Sequence, residues 1–338
     1  MDSYLGDRMK AVVWTRYGPP DVLKLKEVGK PVPKEDEVLI RVHATSAFAG
    51  DCELRRFQVV PSFWLVMRLY IGLTRPKRIT ILGQEVAGVV EAAGKGVSRF
   101  KVGDKVFGLT GMSFGGYAEY VCVAKDALLV AKTDDLTFKE AAVLSVGGLE
   151  ALHFSKRANI HNGQSVLING AGGSIGTLAL QLAKASGATV TCVDSQIKLD
   201  MLKELGADRV LDYTKEDIIS LEERYDVIFD LVGKVPISRL MRSLKEEGLL
   251  ILGNSGLFAP KLYGLWTTIS SKKKVVSNQS TGTTEELEGL RDLVTSGKVR
   301  LVIDRSFPLE RTADAHRYIE EGSKKGNAVI SVVDEPMS

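Results

Sequence analysis

The chain has 338 residues, is 44% hydrophobic and 26% charged, and carries a formal net charge of +3. That length accommodates two domains and the composition is that of a globular protein. So small a net charge gives no support to a nucleic-acid or anionic-membrane partner. Met1–Lys10 carries Asp2, Asp7 and Arg8 without an apolar core, so neither a signal peptide nor a transit peptide is expected. Cys52, Cys122 and Cys192 are few, odd in number and far apart, which predicts reduced thiols and a cytoplasmic protein.

Taken in chain order, Lys10–Trp14, Val22–Val28 and Glu37–Ala44 are predicted strands. Val38, Ile40 and Val42 alternate with Leu39, Arg41 and His43, as a half-buried strand requires. Pro19-Pro20, Gly29 and Pro31-Val32-Pro33 separate them, so the chain begins all-β. His43 is expected to be a strand histidine with an ordinary partner. Phe57–Leu73 is the most apolar irregular stretch. It is too short for a comfortable membrane span, and Pro61 and Arg68 interrupt it. Two compatible readings stand: a helix packed on the core, or a partly exposed flap lining an apolar substrate pocket. Ile81–Gly96 resumes the β pattern, and Gly103–Val106 and Gly115–Val121 each read as a turn into a strand. From Thr137 the period turns helical through Phe138, Ala141, Ala142 and Leu144. Gly147-Gly148 then reads as a break before a second helix, Leu149–Ala158. The first domain is placed at residues 1–130.

From Ser165 to about residue 280, strands alternate with helices, the signature of a parallel α/β sheet. The predicted strands are Ser165–Asn169, Thr189–Val193, Arg209–Leu211, Asp226–Asp230, Leu249–Gly253 and Lys274–Ser277. The predicted helices are Thr177–Ser186, Ile197–Leu205, Asp217–Leu221, a stretch around Ile237–Leu244, and Thr284–Ser296. This gives a second, doubly wound domain over 131–299 with a six-stranded parallel sheet. A last helix, Asp314–Glu321, and a last strand, Ala328–Val333, are expected to return to the first domain, so that 300–338 completes it.

The loop after the first strand of this second domain carries the chemistry. Val166, Leu167 and Ile168 suit a buried strand, and Asn169-Gly170-Ala171-Gly172-Gly173-Ser174-Ile175-Gly176 follows. The strict pattern G-x-G-x-x-G is not met, since Ala171 stands at its first position before Gly173 and Gly176. Glycines let the backbone approach a pyrophosphate, and the N-terminus of the following helix favours its charge. Ala171, Gly172, Gly173, Ser174 and Ile175 are therefore the predicted cradle. Asp194 ends the second strand 18 residues after Gly176, near the distance at which an acidic residue meets the adenosine ribose. Val232-Gly233 and Gly253-Asn254 fall at the C-terminal ends of later strands, where ligands of such sheets bind.

Several segments, in this order and spacing, resemble the medium-chain dehydrogenase/reductase superfamily. They are Met9-Lys10-Ala11-Val12-Val13, Gly18-Pro19-Pro20-Asp21-Val22-Leu23, Gly83-Gln84-Glu85-Val86-Ala87-Gly88-Val89-Val90, Phe100–Gly108 and Leu205-Gly206-Ala207-Asp208. The chain is similar to the zinc-free branch that holds quinone oxidoreductases and zeta-crystallin-type reductases, especially its reticulon-4-interacting-protein-like members. The resemblance covers nearly the whole chain. It implies a GroES-like β-barrel domain followed by a Rossmann domain, with the active site in the cleft between them.

The same resemblance implies site residues. Where zinc-dependent relatives have a cysteine and a histidine, this chain has Phe48 and Gln84, which do not suit Zn²⁺, so no zinc is expected. Glu85, which survives from the zinc motif, is expected to be structural. Without a Lewis acid, quinones and conjugated enones are the fitting hydride acceptors, because the charge left on them is delocalised. Phe48 stands where many zinc-free relatives carry an asparagine able to hydrogen-bond a carbonyl. Asp51 matches a family aspartate, either catalytic or a brace for its loop. Tyr70 is a candidate proton donor from the flap, or a core or rim tyrosine. Phe48, Phe63, Trp64 and Tyr70 are the predicted pocket lining. Glu150 replaces a threonine near the nicotinamide and reads as a cofactor contact or a helix-surface residue. Asp194 matches the carboxylate of NAD-type sites, whereas Ser195, Lys198 and Tyr213 match a 2′-phosphate site, with the balance towards NADPH over NADH.

The expectation is therefore a zinc-independent NAD(P)H-dependent oxidoreductase acting on small apolar carbonyls or quinones, with no membrane span and no nucleic-acid partner. The residues neither show nor exclude a homodimer. The alternative is a dinucleotide-binding protein with little catalysis, serving as a scaffold, a crystallin-like protein or an RNA-binding protein.

Overall fold

The computed structural model describes residues 7–58, 61–216, 223–253, 272–277 and 280–333. The chain forms two units: residues 1–146, 283–291 and 303–338 in one, and 147–282 and 292–302 in the other. The first unit therefore extends beyond residue 130. The helix Phe138–Ala142 explains why, since the Phe138 ring stacks on His43 with centroids 4.2 Å apart and Lys132 Nζ lies 4.8 Å from the Phe138 ring.

The first unit is built on antiparallel strands. Glu37–Ala47 is its centre and pairs with Glu85–Ala93, with Tyr120–Ala124 and with Asn327–Ser331. Lys105–Leu109 and Leu129–Ala131 continue the sheet, Ile303–Pro308 adds a parallel strand beside Asn327–Ser331, and Arg8–Trp14 pairs with Leu23–Gly29 separately. The C-terminal strand thus does return to the first domain. The strand Ile303–Pro308 has no counterpart among the sequence expectations. It sits at the sheet edge, and its Asp304-Arg305-Ser306 run carries no hydrophobic alternation. Trp14, Leu82, Tyr117, Phe307 and Ile330 form one core of this unit; Val38, Ile40, Val86, Phe100 and Val106 form another.

The second unit is a six-stranded parallel sheet. Its strands Ser165–Asn169, Thr189–Asp194, Arg209–Asp212, Tyr225–Asp230, Leu244–Leu252 and Lys274–Val276 lie in the spatial order third, second, first, fourth, fifth, sixth. This is the doubly wound dinucleotide-binding order, and the switch in direction falls between the first and fourth strands. Both faces of the sheet are covered, which is why these strands read as unbroken apolar runs. Val166, Ile168, Val190 and Phe229 pack to one side with the helices Ser174–Ala185 and Leu199–Glu204. Leu167, Val193, Ile228 and Leu250 pack to the other with Ile237–Arg242. Gln181 clips the 292–302 segment to this unit, donating to the Arg300 carbonyl at 2.9 Å and accepting from the Arg300 amide at 2.7 Å.

Two sequence expectations need correction here. Gly147 and Gly148 do not break a helix; both lie inside Ser145–Ala158. A Cβ on Gly147 would sit 3.2 Å from Ser174 Cβ, so glycine there serves the close approach of two helix starts. The helix after the nucleotide loop begins at Ser174 rather than Thr177, with Gly173 as its N-cap. The predicted helix Asp217–Leu221 lies outside the described residues.

Candidate active site

The first strand of the second unit ends at Asn169, and its side chain donates to Asp230 at 2.8 Å on the neighbouring fourth strand. The two strand ends are thereby locked at the switch point. Asp230 also accepts from the amides of Val232 and Gly233, at 3.4 and 3.3 Å, and the Gly253 amide donates to the Asp230 carbonyl. Gly170 then turns with φ +85°, a conformation that glycine adopts without penalty. Beyond it the backbone is packed so tightly that a Cβ on Gly176 would lie 2.5 Å from the Gly170 oxygen and 2.6 Å from Ala171 Cα. At Gly173 the opposite holds: among the described residues the only atom near a Cβ, the Gly170 oxygen, would be 3.6 Å away. The Gly173 N-cap offers no side chain to the first amides of Ser174–Ala185. An open glycine before a helix start is the backbone form of an anion cradle. Ala171, Gly172 and Gly173 thus form the turn, and Ser174 and Ile175 open the helix that follows it. Asn254 lies outside the described residues.

Asp194 is buried at the end of the second strand and belongs to the loop as much as to any ligand. One oxygen accepts from the Gly172 amide at 2.8 Å; the other accepts from the Ser195 amide at 2.8 Å and pairs with Lys198 Nζ at 3.0 Å. Lys198 is itself only 8% exposed, and a Cβ on Gly172 would meet its side chain at 2.5 Å. Glycine at 172 therefore makes room for the lysine as well as for the loop. Tyr213 is 56% exposed, and its amide donates to the Asp194 carbonyl at 3.3 Å. Ser195 and Lys198 are consequently gathered around the Asp194 carboxylate, and the Tyr213 backbone lies beside the same residue. Glu150, on Ser145–Ala158, accepts from the Ser280 amide at 3.2 Å, and burial raises its carboxyl to about 7.

In the first unit, Asp51 sits in the first turn of the helix Ala49–Arg56 and is 1% exposed. Its Oδ2 accepts from Tyr117 Oη at 2.9 Å and from the Phe48 amide at 3.4 Å. Burial raises its carboxyl from 3.8 to about 7, opposed by those hydrogen bonds. Behind Tyr117 lies His316 Nε2 at 3.1 Å, and His316 Nδ1 is 3.3 Å from Cys52 Sγ. While Asp51 is ionised Tyr117 donates its hydroxyl hydrogen to it, which leaves His316 Nε2–H to donate to Tyr117 Oη and Nδ1 to face the thiol. Burial pushes His316 down to about 3 and Cys52 and Tyr117 upward, so the chain stays neutral beyond Asp51. Sequence reasoning found Asp51 but neither Tyr117, His316 nor Cys52 as its companions. Glu85 has a structural place of the same kind: it accepts from Ser46 Oγ and, at 2.6 Å, from the Val146 amide, and burial lifts it to about 7.

The stretch after Ala49–Arg56 turns at Phe57, whose φ of 59° ends that helix in the left-handed region. The helix Pro61–Ile71 follows. Arg68 reaches back across the rings of Tyr17, Phe57 and Trp64, at 4.0, 4.1 and 5.0 Å, and its NH1 donates to the Leu73 carbonyl. Tyr70 is half-buried against the core under the Arg78 guanidinium, and Trp64 is largely exposed. The reading of Phe57–Leu73 as a helix packed on the core thus holds for its inner face, while Leu65, Val66 and Leu69 on the outer face are exposed.

With this geometry in hand, two family models match: the alcohol dehydrogenase GroES-like domain over residues 34–134 and the zinc-binding dehydrogenase over 205–330. The 2-methylene-furan-3-one reductase of Solanum lycopersicum is 35% identical, across 95% of this chain and 79% of its own length. An NADPH-dependent alkenal/one oxidoreductase of Arabidopsis thaliana is 34% identical, across 97% and 81%. The solved quinone oxidoreductase from Coxiella burnetii superposes with a TM-score of 0.86 at 31% identity, covering 96% of this chain and all of that one. The chain belongs to the medium-chain dehydrogenase/reductase family, in its quinone-oxidoreductase, zeta-crystallin-like branch. It is an oxidoreductase of that branch. One model's description names zinc; at the two positions where the resemblance places zinc ligands this chain has Phe48 and Gln84, and among the described residues no three His, Cys, Asp or Glu side chains are grouped to hold a metal ion.

Proposed function

We infer that the protein passes a hydride from NADPH to quinones or α,β-unsaturated carbonyls without a metal. The observation that carries this reading is the open glycine cradle at Gly173, set at the switch point of the sheet in a chain of this family. Bound nicotinamide would supply the hydride. The residues of this chain hold and orient: the 173–176 turn takes the pyrophosphate, and Val232, Gly233 and Gly253 flank the strand ends beside it.

The preference for NADPH rests on Asp194. Both its oxygens are engaged by Gly172, Ser195 and Lys198, so its charge is offset inside the loop instead of facing a 2′-phosphate. A 2′-phosphate would share Lys198 with Asp194, with Ser195 and Tyr213 beside it. One relative's name, NADPH-dependent alkenal/one oxidoreductase, agrees. On the acceptor side, Phe48, Phe63, Trp64 and Tyr70 are proposed to hold an apolar ring or chain by packing. The Phe48 amide is spent on Asp51, and Tyr117 on the same carboxylate, so neither is available to the substrate. An acceptor that delocalises its own charge fits such a surface, and its proton comes from solvent.

The test follows NADH and NADPH oxidation by absorbance with an ortho-quinone and a linear enone. Acceptor-dependent loss of NADPH supports the reading. Lys198→Ala should raise the KM for NADPH by about ten-fold or more, the scale of a charged hydrogen bond, and change that for NADH by about two-fold at most. If both cofactors bind and neither is consumed with either acceptor, the reading is wrong and a binding role takes its place.

A further inference from the structure

The helix Pro61–Ile71 is apolar on the side facing its own unit and apolar on the side facing away. Met67, Tyr70 and Ile71 pack inward on the core. Leu65, Val66 and Leu69 lie on the outer arc, exposed by 60, 59 and 65%, with Trp64 at 46% beside them and Leu73 at 61% just past the helix end. Single exposed apolar side chains are ordinary, but a contiguous row is not. A helix apolar all round belongs in a buried or membrane setting. At 11 residues it is about 16 Å long, half the roughly 30 Å needed to cross a bilayer, so it can lie on a membrane but not span it.

The charge along this stretch of the chain is one-sided. Between Glu53 and Glu85 the chain has no acidic residue and six basic ones: Arg55, Arg56, Arg68, Arg75, Lys77 and Arg78. Arg55 and Arg56 are held by Glu320, and Arg68 by the ring cluster. Arg75, Lys77 and Arg78 are all exposed directly after the apolar helix, Arg78 with its guanidinium also over the Tyr70 ring. The net charge of the whole chain conceals this local concentration. We propose that this face docks on an anionic lipid bilayer, with Leu65, Val66, Leu69 and Leu73 at the headgroup–acyl boundary and Arg75, Lys77 and Arg78 on the lipid phosphates. A second copy of the chain is the poorer occupant. A two-fold contact through this patch would bring the same three cations against themselves, with no acidic residue in the stretch to neutralise them. The proposal goes beyond the hydride-transfer reading and does not depend on it.

The test is co-sedimentation of the full-length protein with vesicles of phosphatidylcholine alone and of phosphatidylcholine with phosphatidylglycerol. Binding is expected only to the anionic vesicles. It should weaken in high salt, as the screening length falls from about 10 Å at 0.1 M to about 3 Å at 1 M. Arg75→Glu/Lys77→Glu should weaken partitioning by about ten-fold or more. Leu65→Ser/Leu69→Ser should weaken it comparably with an unchanged Tm; if that variant fails to fold, the charge variant alone decides. No binding to anionic vesicles, or binding that survives the charge variant, overturns the proposal. So does a Leu65→Ser/Leu69→Ser variant that dissolves a dimer in sedimentation velocity while still binding vesicles as before.

Discussion

In the turn at 170–176 the groups proposed to meet a dinucleotide are backbone amides, and the glycines matter for what they lack. In the interior of the first unit the buried polar groups are side chains, Cys52, His316, Tyr117 and Asp51, drawn from three distant parts of the chain. A cradle made of backbone has no proton to gain or lose and fails by steric intrusion. A line of buried side chains packs well but depends on each partner and on pH. The two regions should therefore break in different ways.

The largest effect is expected at Gly176. A valine there would drive its Cβ into the Gly170 oxygen and Ala171 Cα, which are backbone and cannot swing aside. Gly176→Val should lower dinucleotide affinity by about a hundred-fold or more and cost about 2–3 kcal/mol of stability, read by NADPH fluorescence titration and denaturant melts. Next comes His316→Ala, which empties a fully buried site and removes one partner from Tyr117 and one from Cys52. A loss of about 2–4 kcal/mol with dinucleotide affinity unchanged would match the contrast; an equal loss of affinity would break it.

The third prediction concerns pH. The Asp51 carboxyl is raised in the folded protein from 3.8 to about 7. Its contribution to stability is full below about pH 4, falls as the unfolded state ionises while the folded site resists, and levels off above about 7. His316 works the other way, since its lowered value costs stability as pH falls below about 6.5. The wild-type profile is a sum of opposing slopes, so the informative quantity is a difference. Between pH 4 and 8 the Tm of Asp51→Asn should move in its favour relative to wild type by about 2 °C or more. A constant gap across that range would show that Asp51 titrates normally. The smallest effect should be that of Gly173→Ala on folding. With only one atom near the new Cβ and φ at −89°, its stability should stay within about 0.5 kcal/mol of wild type. Its NADPH affinity should nonetheless fall, because the methyl group stands where the pyrophosphate would approach; unchanged affinity would remove Gly173 from the cradle.

The two regions also differ in how far they could be read in advance. The cradle is written in consecutive residues, so Ala171, Gly173, Gly176 and the later Asp194 announce it by spacing alone. Spacing could not tell that Asp194 would be spent on Gly172 and Lys198, because that depends on the lysine folding back over the loop. Gly147-Gly148 misled for a related reason: glycine was taken as a helix breaker, whereas here it lets one helix pass close to Ser174. His316 carried no local signal at all, lying in an amphipathic helix like many others. The outer face of Pro61–Ile71 was equally hidden, since an apolar run looks the same whether or not something covers it.

What the sequence by itself determined is what local spacing and periodicity can express. This covers the strand–helix alternation of the second unit, the β character of the first, the dinucleotide turn, and the family to which their order belongs. Tertiary structure alone decided which side chains met: Asp51 with Tyr117 and His316, Glu85 with Ser46 and the Val146 amide, Arg68 with three rings. The physical reason is range. Periodicity and turn chemistry act over a few residues, whereas burial brings together groups whose separation along the chain says nothing of their distance in space.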